Sequence, residues 1–486
     1  MLSIEKKLLD FVQKHIAVLG IACLLLVSAV IRYFLLPYHS IDYVASLEVW
    51  YENFRSFGGW RALARDVGNY NMLYRTLMAA LSYLPNPLLA IKLPSVLFDY
   101  IGAGAAALLA HEVCLQAGRT RAAARRAAVT AGIAVLFLPT VVMNGAMWAQ
   151  CDMMYVTFLL LCTLFFYKEK YVISFIWLGV AFSLKLQAVF LCPALLILYV
   201  VRKKFSALNF LWMPAMLEIF AIPSVIVTLI LHGNVSEALR RPFDIYLGQG
   251  AEAHIASSYH NAANWFYGAA STFESNNGTY RFIEGNIIPF FRTGMMLFCF
   301  GVLGIAAVWL ISRRVQFGVH TTLLLFIFSF YTCLIFLPGM HERYGMAVLV
   351  LLVVHTAATG RLVPLTACMA AMDTMIYIPF LLQGAMPVSM STLSVFNIAL
   401  YGAFCFAFLR ELLAEGALPE ELRGIAGALG GVERDALAGR IYQNLLRDAL
   451  NPSEALLEEY RARSILLGRE IDYCEKGVWR HARAEG

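Results

Sequence analysis

The sequence predicts an all-α polytopic membrane protein of about twelve transmembrane helices, with a large first external loop and a small helical cytoplasmic tail. Three observations predict it. Of 486 residues, 60% are hydrophobic and only 14% are charged. Soluble domains are roughly 45–50% apolar and about 25% charged, so this chain cannot coat the surfaces of the several soluble domains its length would otherwise form. The charge is also unevenly placed, because residues 411–486 hold 24 of the 70 Asp, Glu, Lys and Arg. Finally, apolar runs approaching the roughly 20 residues of a membrane span recur through residues 1–410. Together these exclude a single soluble globule, a disordered chain and a simple nucleic-acid binder. They divide the chain into a membrane domain, 1–410, and a soluble tail, 411–486.

The elements follow in order. The first apolar run, Ile16 to Leu36, is too long for a signal-peptide core and lacks a small-residue cleavage site, so it is a retained helix. Candidate spans cover 15–36, 88–110, 127–145, 152–167, 171–184, 187–201, 208–231, 288–312, 319–337, 344–359, 362–382 and 391–409. Lys6, Lys7 and Lys14 place the N-terminus inside by the positive-inside rule. Arg119, Arg121, Arg125 and Arg126, Lys168 with Lys170, Arg202 with Lys203 and Lys204, and Arg313 with Arg314 then also lie inside. All twelve spans satisfy this order, and both termini are cytoplasmic. Counting residues 71–84 as a further span would reverse every later basic cluster, so that stretch reads as an interfacial or re-entrant helix. Within the first external loop, Asp42 to Phe57 has Leu47, Trp50, Tyr51 and Phe54 at helical spacing, as expected of a helix at the membrane surface. A second external segment covers about 232–287. The tail reads as two or three amphipathic helices broken at Gly430-Gly431 and Asn451-Pro452. It either docks a cytoplasmic partner or braces the bundle. The ten Cys are scattered without a CxxC pair, which argues against a disulfide framework or zinc site.

With this topology the noteworthy polar residues gather on the external side. They are Asp42, Trp148-Ala149-Gln150-Cys151-Asp152, Lys185 with Gln187, and His341-Glu342-Arg343-Tyr344. Ionisable groups near spans mark function more often than packing, but each has a plain reading. Asp42 is either a solvated loop carboxylate or a functional one. Asp152 is either a helix N-cap or a site residue. Lys185 either snorkels or binds. The His-Glu-Arg-Tyr turn between two apolar spans is the strongest sign of charge recognition. Asp99, inside the second span, has Lys92 seven residues back on the same face and reads as half of a structural pair. Asn261, Asn264 and Trp265 of the second loop either line a sugar site or belong to an ordinary Asn-rich loop. Chemically, Lys185, His341 and Arg343 suit a phosphate, with Arg supplying a bidentate fork, and a carboxylate suits a general base on a hydroxyl. Nucleotide donors are normally cytoplasmic, so an external enzyme needs a donor delivered by the membrane. A lipid-linked phosphate meets that need.

These residues resemble the GT-C superfamily of polytopic glycosyltransferases, in particular bacterial and archaeal proteins related to the GPI mannosyltransferase II family. The matching stretches are Asp42-Tyr43, Gly58-Gly59 followed by Asn69-Tyr70-Asn71-Met72-Leu73-Tyr74, Trp148 to Asp152, Phe182-Ser183-Leu184-Lys185-Leu186-Gln187, and His341 to Tyr344. They span roughly residues 1–410 and leave the tail uncovered. The resemblance implies a polyprenyl-phosphate sugar donor, mannose or glucose, and inverting transfer to a lipid-linked or glycan acceptor at the external face of a bacterial plasma membrane. It implies Asp42 as general base, with Lys185, His341 and Arg343 facing the donor phosphate. Gln150, Asp152, Gln187, Glu342, Tyr344, Asn264, Trp265 and Tyr74 would contact sugar or acceptor. A divalent cation is compatible with such chemistry, but no ligand cluster demands one. The chain departs from the family pattern at Ile41, at Met72-Leu73 and in Asn261-Ala262-Ala263-Asn264-Trp265, which leaves donor and acceptor identity open. The alternatives are a lipid or polysaccharide transporter such as a flippase, which would carry charge at the bilayer midplane and internal repeats, and a scaffold acting through its tail.

Overall fold

The computed structural model describes residues 2–251, 260–262, 265, 280–382, 388–414, 471–475 and 478–482. It divides into two units, Met1–Ala417 and Leu418–Gly486. The first is a helical bundle. Its helices are α1 (Ser3–Leu35), α2 (Glu48–Ser56), α3 (Met72–Leu81), α4 (Pro87–Gln116), α5 (Arg121–Phe137), α6 (Pro139–Val142), α7 (Asp152–Tyr167), α8 (Tyr171–Leu184), α9 (Cys192–Arg202), α10 (Trp212–His232), α11 (Val235–Ala251), α12 (Tyr280–Ser312), α13 (Val319–Phe336), α14 (Met346–Thr359), α15 (Val363–Leu382) and α16 (Met390–Ala414).

Seven helical segments among the described residues are long and apolar enough to cross a membrane, or eight if α5 and the Pro139–Trp148 segment form one span bent by 54°. The bend falls where Leu138 turns extended before Pro139, because the proline ring disfavours helix in the residue that precedes it. Five further apolar helical segments among the described residues are shorter, one of them Leu186–Arg202. α7 has 16 residues, α8 has 14 and α14 has 14, or roughly 24 Å and 21 Å of rise against a hydrocarbon core of about 30 Å. α3, at ten residues, is shorter still. The stretch from Asp42 to Phe57 is helical. It begins with a π-helical turn at Tyr43–Leu47 and continues as α2, burying Tyr43, Leu47, Tyr51 and Phe54.

α13 and α14 form the core, with nearly every side chain buried from Thr321 to Ile335 and from Met346 to His355. α14 packs against α4, α5, α7, α13 and α15. α1 by contrast is mostly exposed and apolar, with Leu26, Val27 and Val30 among its open side chains. Hydrogen bonds gather the opposite ends of several helices at one pole. Gln116 Nε2 donates to the Tyr167 carbonyl at 2.6 Å, Tyr167 Oη donates to the Val319 carbonyl at 2.6 Å, and Arg202 donates to Thr322 Oγ1 at 2.5 Å. Lys204 pairs with Glu169 at 2.5 Å there. The other ends of α7, α8 and α14 meet at Asp152, Lys185 and Arg343, so basic loops and site residues occupy opposite poles of the bundle.

Asp99 does not pair with Lys92. Its partner is Arg32 of α1, whose Nε lies 2.9 Å from Asp99 Oδ2 with both side chains buried. Arg32 also donates to Ser28 Oγ at 2.5 Å and to the Leu136 carbonyl at 3.0 Å, tying α1 to α4 and α5. Lys92 instead donates to the carbonyls of Leu36, at 2.8 Å, and Tyr38, where the chain leaves α1 and exposes carbonyls that a helix would have satisfied. Gly145 rests against Asp99, where an added Cβ would lie 2.9 Å from Oδ2.

The second unit corrects the expectation of an all-helical tail. Its described residues form an antiparallel hairpin of β1 (Ile471–Glu475) and β2 (Val478–Ala482), with Ile471 opposite Ala482 and Glu475 opposite Val478. Ile471, Tyr473, Val478 and Trp479 are residues that favour a pleated surface. The amphipathic helices expected at 415–470 lie outside the described residues.

The Arg32–Asp99 pair gives a prediction. Asp99→Leu or Arg32→Met leaves one buried charge unmatched and costs about 3–5 kcal/mol. The double variant recovers most of that loss, read as the thermal unfolding midpoint in detergent. Equal loss in the single and double variants would show that the pair carries no coupling.

Candidate functional site

The segment from Arg32 to Tyr43 is latched residue by residue. Besides the Arg32 and Lys92 contacts, Tyr38 Oη donates to the Leu381 carbonyl. Ser40 Oγ donates to the Trp148 carbonyl at 3.2 Å and accepts from the Tyr43 amide at 3.1 Å. The latch delivers Asp42 to the end of the bundle with its side chain 42% exposed. Asp42 Oδ2 accepts from Trp148 Nε1 at 2.9 Å and from Gln150 Nε2 at 3.2 Å, and Arg343 Nη1 stands 3.5 Å away. Oδ1 takes no hydrogen bond from any described residue.

The Trp148–Asp152 stretch is a sharp turn. A π-helical turn, Met143–Trp148, ends at Ala149 in the left-handed region, φ +66°. A non-glycine residue there costs roughly 1–3 kcal/mol and persists only where its surroundings over-determine it. Here the Gln150 amide donates back to the Asn144 carbonyl at 3.0 Å, and the Trp148 indole packs edge-on to Tyr377 at 5.2 Å. The turn aims Trp148 and Gln150 at Asp42 and starts α7 at Asp152.

Asp152 is the first residue of α7 and makes no capping bond. Its carboxylate is fully buried instead. Oδ1 accepts from Lys185 Nζ at 2.5 Å and Oδ2 from Asn144 Nδ2 at 3.0 Å, while Arg343 Nε lies 3.6 Å from Oδ2. Lys185 follows α8 in extended backbone. Its ammonium sits among the rings of Tyr70, Tyr155 and Tyr344 at 5.8, 5.8 and 5.4 Å, a cation–π cage. Burial pulls the Lys185 pKa down, but the Asp152 carboxylate more than offsets it, so the group is held above its ordinary value.

The His341–Tyr344 turn contributes the remaining charges. Arg343 Nη1 donates to Glu342 Oε1 at 2.6 Å, and His341 Nδ1 lies 3.7 Å from Glu342 Oε2. Burial pushes the Glu342 carboxyl up, but Arg343 and then His341 outweigh it and bring the pKa to about 2. The Arg343 guanidinium spans Trp148 and Tyr344, 5.8 and 6.0 Å from their ring centres. Gly345 lets Asp373 approach closely, since a Cβ there would fall 2.5 Å from Asp373 Oδ1.

Most residues expected from the sequence therefore meet. Asp42, Gln150, Asp152, Lys185, Glu342 and Arg343 form one connected network. His341 stands at its rim, 32% exposed, with its ring 5.3 Å from that of Tyr344. Tyr74 packs edge-on to Tyr70 at 4.7 Å. Gln187 is half-buried two residues past Lys185, with no hydrogen bond to the network among the described residues. Asn264 lies outside the described residues. Trp265 is 36% exposed and its amide donates to the Asn261 carbonyl. The Asn261 side-chain amide donates to the carbonyls of Leu334 and Leu337 at 3.0 and 2.9 Å, capping the end of α13 that leads to the His341 turn.

Sequence reasoning assigned no site role to three contributors. Tyr70 Oη donates to Gln150 Oε1 at 2.6 Å, which turns the Gln150 NH2 toward Asp42. Burial holds the Tyr70 phenol well above its usual pKa, so it stays a donor. Trp148 and Asn144 are the other two. Tyr70 and Trp148 both lie in stretches singled out in the sequence, but which atom each would meet depends on the fold. Cys151 is no nucleophile here, since burial raises its thiol to about 11. Among the described residues, no group of three His, Cys, Asp or Glu side chains is arranged to hold a metal ion.

No protein-family model matches the chain, and no curated protein is significantly similar to it.

Two predictions follow the geometry. A carboxyl depressed in the folded state stabilises the fold above its ordinary range and loses that contribution as pH falls through its folded value. The unfolding midpoint of the natural chain should thus exceed that of Glu342→Gln at pH 7, with the gap closing between about pH 4.5 and 2. A gap independent of pH would contradict the assigned ion pair. Tyr70→Phe should leave the fold intact, and the Trp148 fluorescence should shift as the Gln150–Asp42 contact loosens. Emission unchanged from the natural chain would show that the Tyr70 bond does not order the site.

Proposed function

We propose that the chain is an integral membrane glycosyltransferase. It moves a hexose, mannose or glucose, from a polyprenyl-phosphate donor to a hydroxyl of a lipid-linked or glycan acceptor, with inversion. In this reading the eight long spans and α7, α8, the segment from Leu186 to Arg202 and α14 together make twelve crossings. Both termini are cytoplasmic and the Asp42 site opens on the external face. The short rises of α7, α8 and α14, all ending at site residues, support a site recessed below the membrane surface, within reach of a phosphate carried on a lipid.

One observation carries the reading. Asp42 is fixed through Oδ2 by two N–H donors, with the Arg343 guanidinium 3.5 Å from that same oxygen, while Oδ1 takes no hydrogen bond from any described residue. A general base needs that arrangement, with its orientation set and one lone pair free. Asp42 Oδ1 takes the proton of the acceptor hydroxyl. The acceptor oxygen bonds to the anomeric carbon as the bond from that carbon to the phosphate oxygen breaks. The electron pair leaves with the phosphate, whose charge meets Arg343 and His341. A phosphate so neutralised needs no separate acid.

The charge balance separates floor from rim. Lys185 and Arg343 face Asp42, Asp152 and Glu342, so the site is one negative charge in excess when His341 is neutral. Lys185, bound to Asp152, acts on the phosphate through its field and fixes the Asp152–Arg343 assembly. His341 stands at the open rim, while Arg343, mostly buried against Glu342, meets the phosphate from the floor.

In purified chain supplied with polyprenyl-phosphate mannose or glucose, Asp42→Asn should lower transfer by about 10²–10⁴-fold with donor binding retained. Transfer at the natural rate would remove Asp42 from the role of base.

A further inference from the structure

Away from the Asp42 site, the Gly59–Ala64 turn, α3 and α11 bring arginines together in a second place. Arg75, the fourth residue of α3, is 1% exposed. Its Nη2 donates to the Arg65 carbonyl. Its Nε and Nη1 are buried and have no hydrogen-bond partner among the described residues. Arg241, on α11, closes the same region. Its Nη2 donates to Asp66 Oδ1 at 2.7 Å, its Nη1 lies 4.0 Å from Glu237 Oε1, and its Nε is buried with no hydrogen-bond partner among the described residues. Burial, and then the charge of Arg241, pull Arg75 down to about 10, an effect that Asp66 only partly offsets.

This is an expensive way to fill space. Buried donors are almost always paired, and an unmatched buried cation is among the costliest groups a fold can hold. A methionine or leucine at 75 would pack the same volume without the cost. Three guanidinium nitrogens have no acceptor among the described residues, and Asp66, the carboxylate nearest Arg241, has its side chain 86% exposed. Arg is also the side chain best suited to oxyanions.

We infer that Arg75 and Arg241 form an oxyanion site, distinct from the Asp42 site, that takes a phosphate group from a lipid headgroup or from free phosphate. Asp66 holds the rim position. An arriving phosphate displaces it from Arg241, then accepts from Arg241 Nε and from Arg75 Nε and Nη1. The exposed Asp66 returns to water at little cost, since exposed ion pairs are weak. Tyr74, the residue before Arg75, packs on Tyr70, so α3 separates the two sites and presents one residue to each.

The test uses the full chain and the rim residues, so that the fully buried Arg75 need not be altered. Thermal unfolding is followed in detergent with inorganic phosphate against chloride at equal ionic strength. It is followed in parallel in nanodiscs of phosphatidylcholine, with and without phosphatidylglycerol. The natural chain should be stabilised saturably in at least one arm. Arg241→Gln should raise the half-saturating concentration at least tenfold, and Asp66→Asn, which removes the competing carboxylate, should lower it several-fold. Stabilisation by inorganic phosphate assigns the site to a free phosphate. Stabilisation by phosphatidylglycerol alone assigns it to a headgroup. Equal responses of the natural chain and Arg241→Gln in both arms, or a weakened response in Asp66→Asn, would overturn the inference.

Discussion

Charge matching in an apolar interior is the constraint on which this molecule depends. Lys185, Asp152, Glu342 and Arg343 are all buried, and none is affordable there alone, because removing one partner of a buried pair leaves an uncompensated charge. The four come from three stretches of the chain, at 152, 185 and 342–343, and they are tolerated because the bundle brings those stretches together. The ends of α7, α8 and α14 are thus held in register by electrostatics as well as by packing. The same rule acts a few residues away, where Arg32 and Asp99 bind the exposed helix α1 to the bundle.

From this core the site acquires a floor and a rim. The floor is closed, with Lys185 on Asp152 and Arg343 on Glu342. The rim is open, with Asp42 and His341 partly exposed. Asp42 is at the rim because its chain segment is latched at Arg32, Lys92, Tyr38 and Ser40. It is oriented because the left-handed turn at Ala149 aims Trp148 and Gln150 at one of its oxygens. Tyr70 extends that control by fixing the Gln150 amide. The proposed chemistry needs this division, in which a rigid set of buried charges sets the field and two exposed groups meet the substrate.

Much of this was legible in the sequence. Scarce charge and long apolar runs gave the helical bundle, and the spacing of Leu47, Tyr51 and Phe54 gave the helix that follows Asp42. The polar stretches at 42, 148–152, 185 and 341–344 stood out because ionisable groups are rare between apolar spans, and the fold unites them. Pairing was not legible. Lys92 looked like the partner of Asp99 because the two share a helix face, but the ammonium is drawn to carbonyls freed at the end of α1, and Asp99 meets an arginine 67 residues away. Tyr70 carried no charge to mark it. The hairpin at 471–482 was obscured by a tail read for helical periodicity, although Ile471, Tyr473, Val478 and Trp479 are strand-favouring residues.

The anomeric outcome tests the central claim most directly. Purified chain is given polyprenyl-phosphate hexose of known anomeric configuration with a hydroxyl acceptor, and the product is read by NMR through its anomeric proton coupling. An Asp42 that deprotonates the acceptor for direct displacement predicts a product of wholly inverted configuration. Retained configuration, or release of free sugar with no transfer, would contradict it.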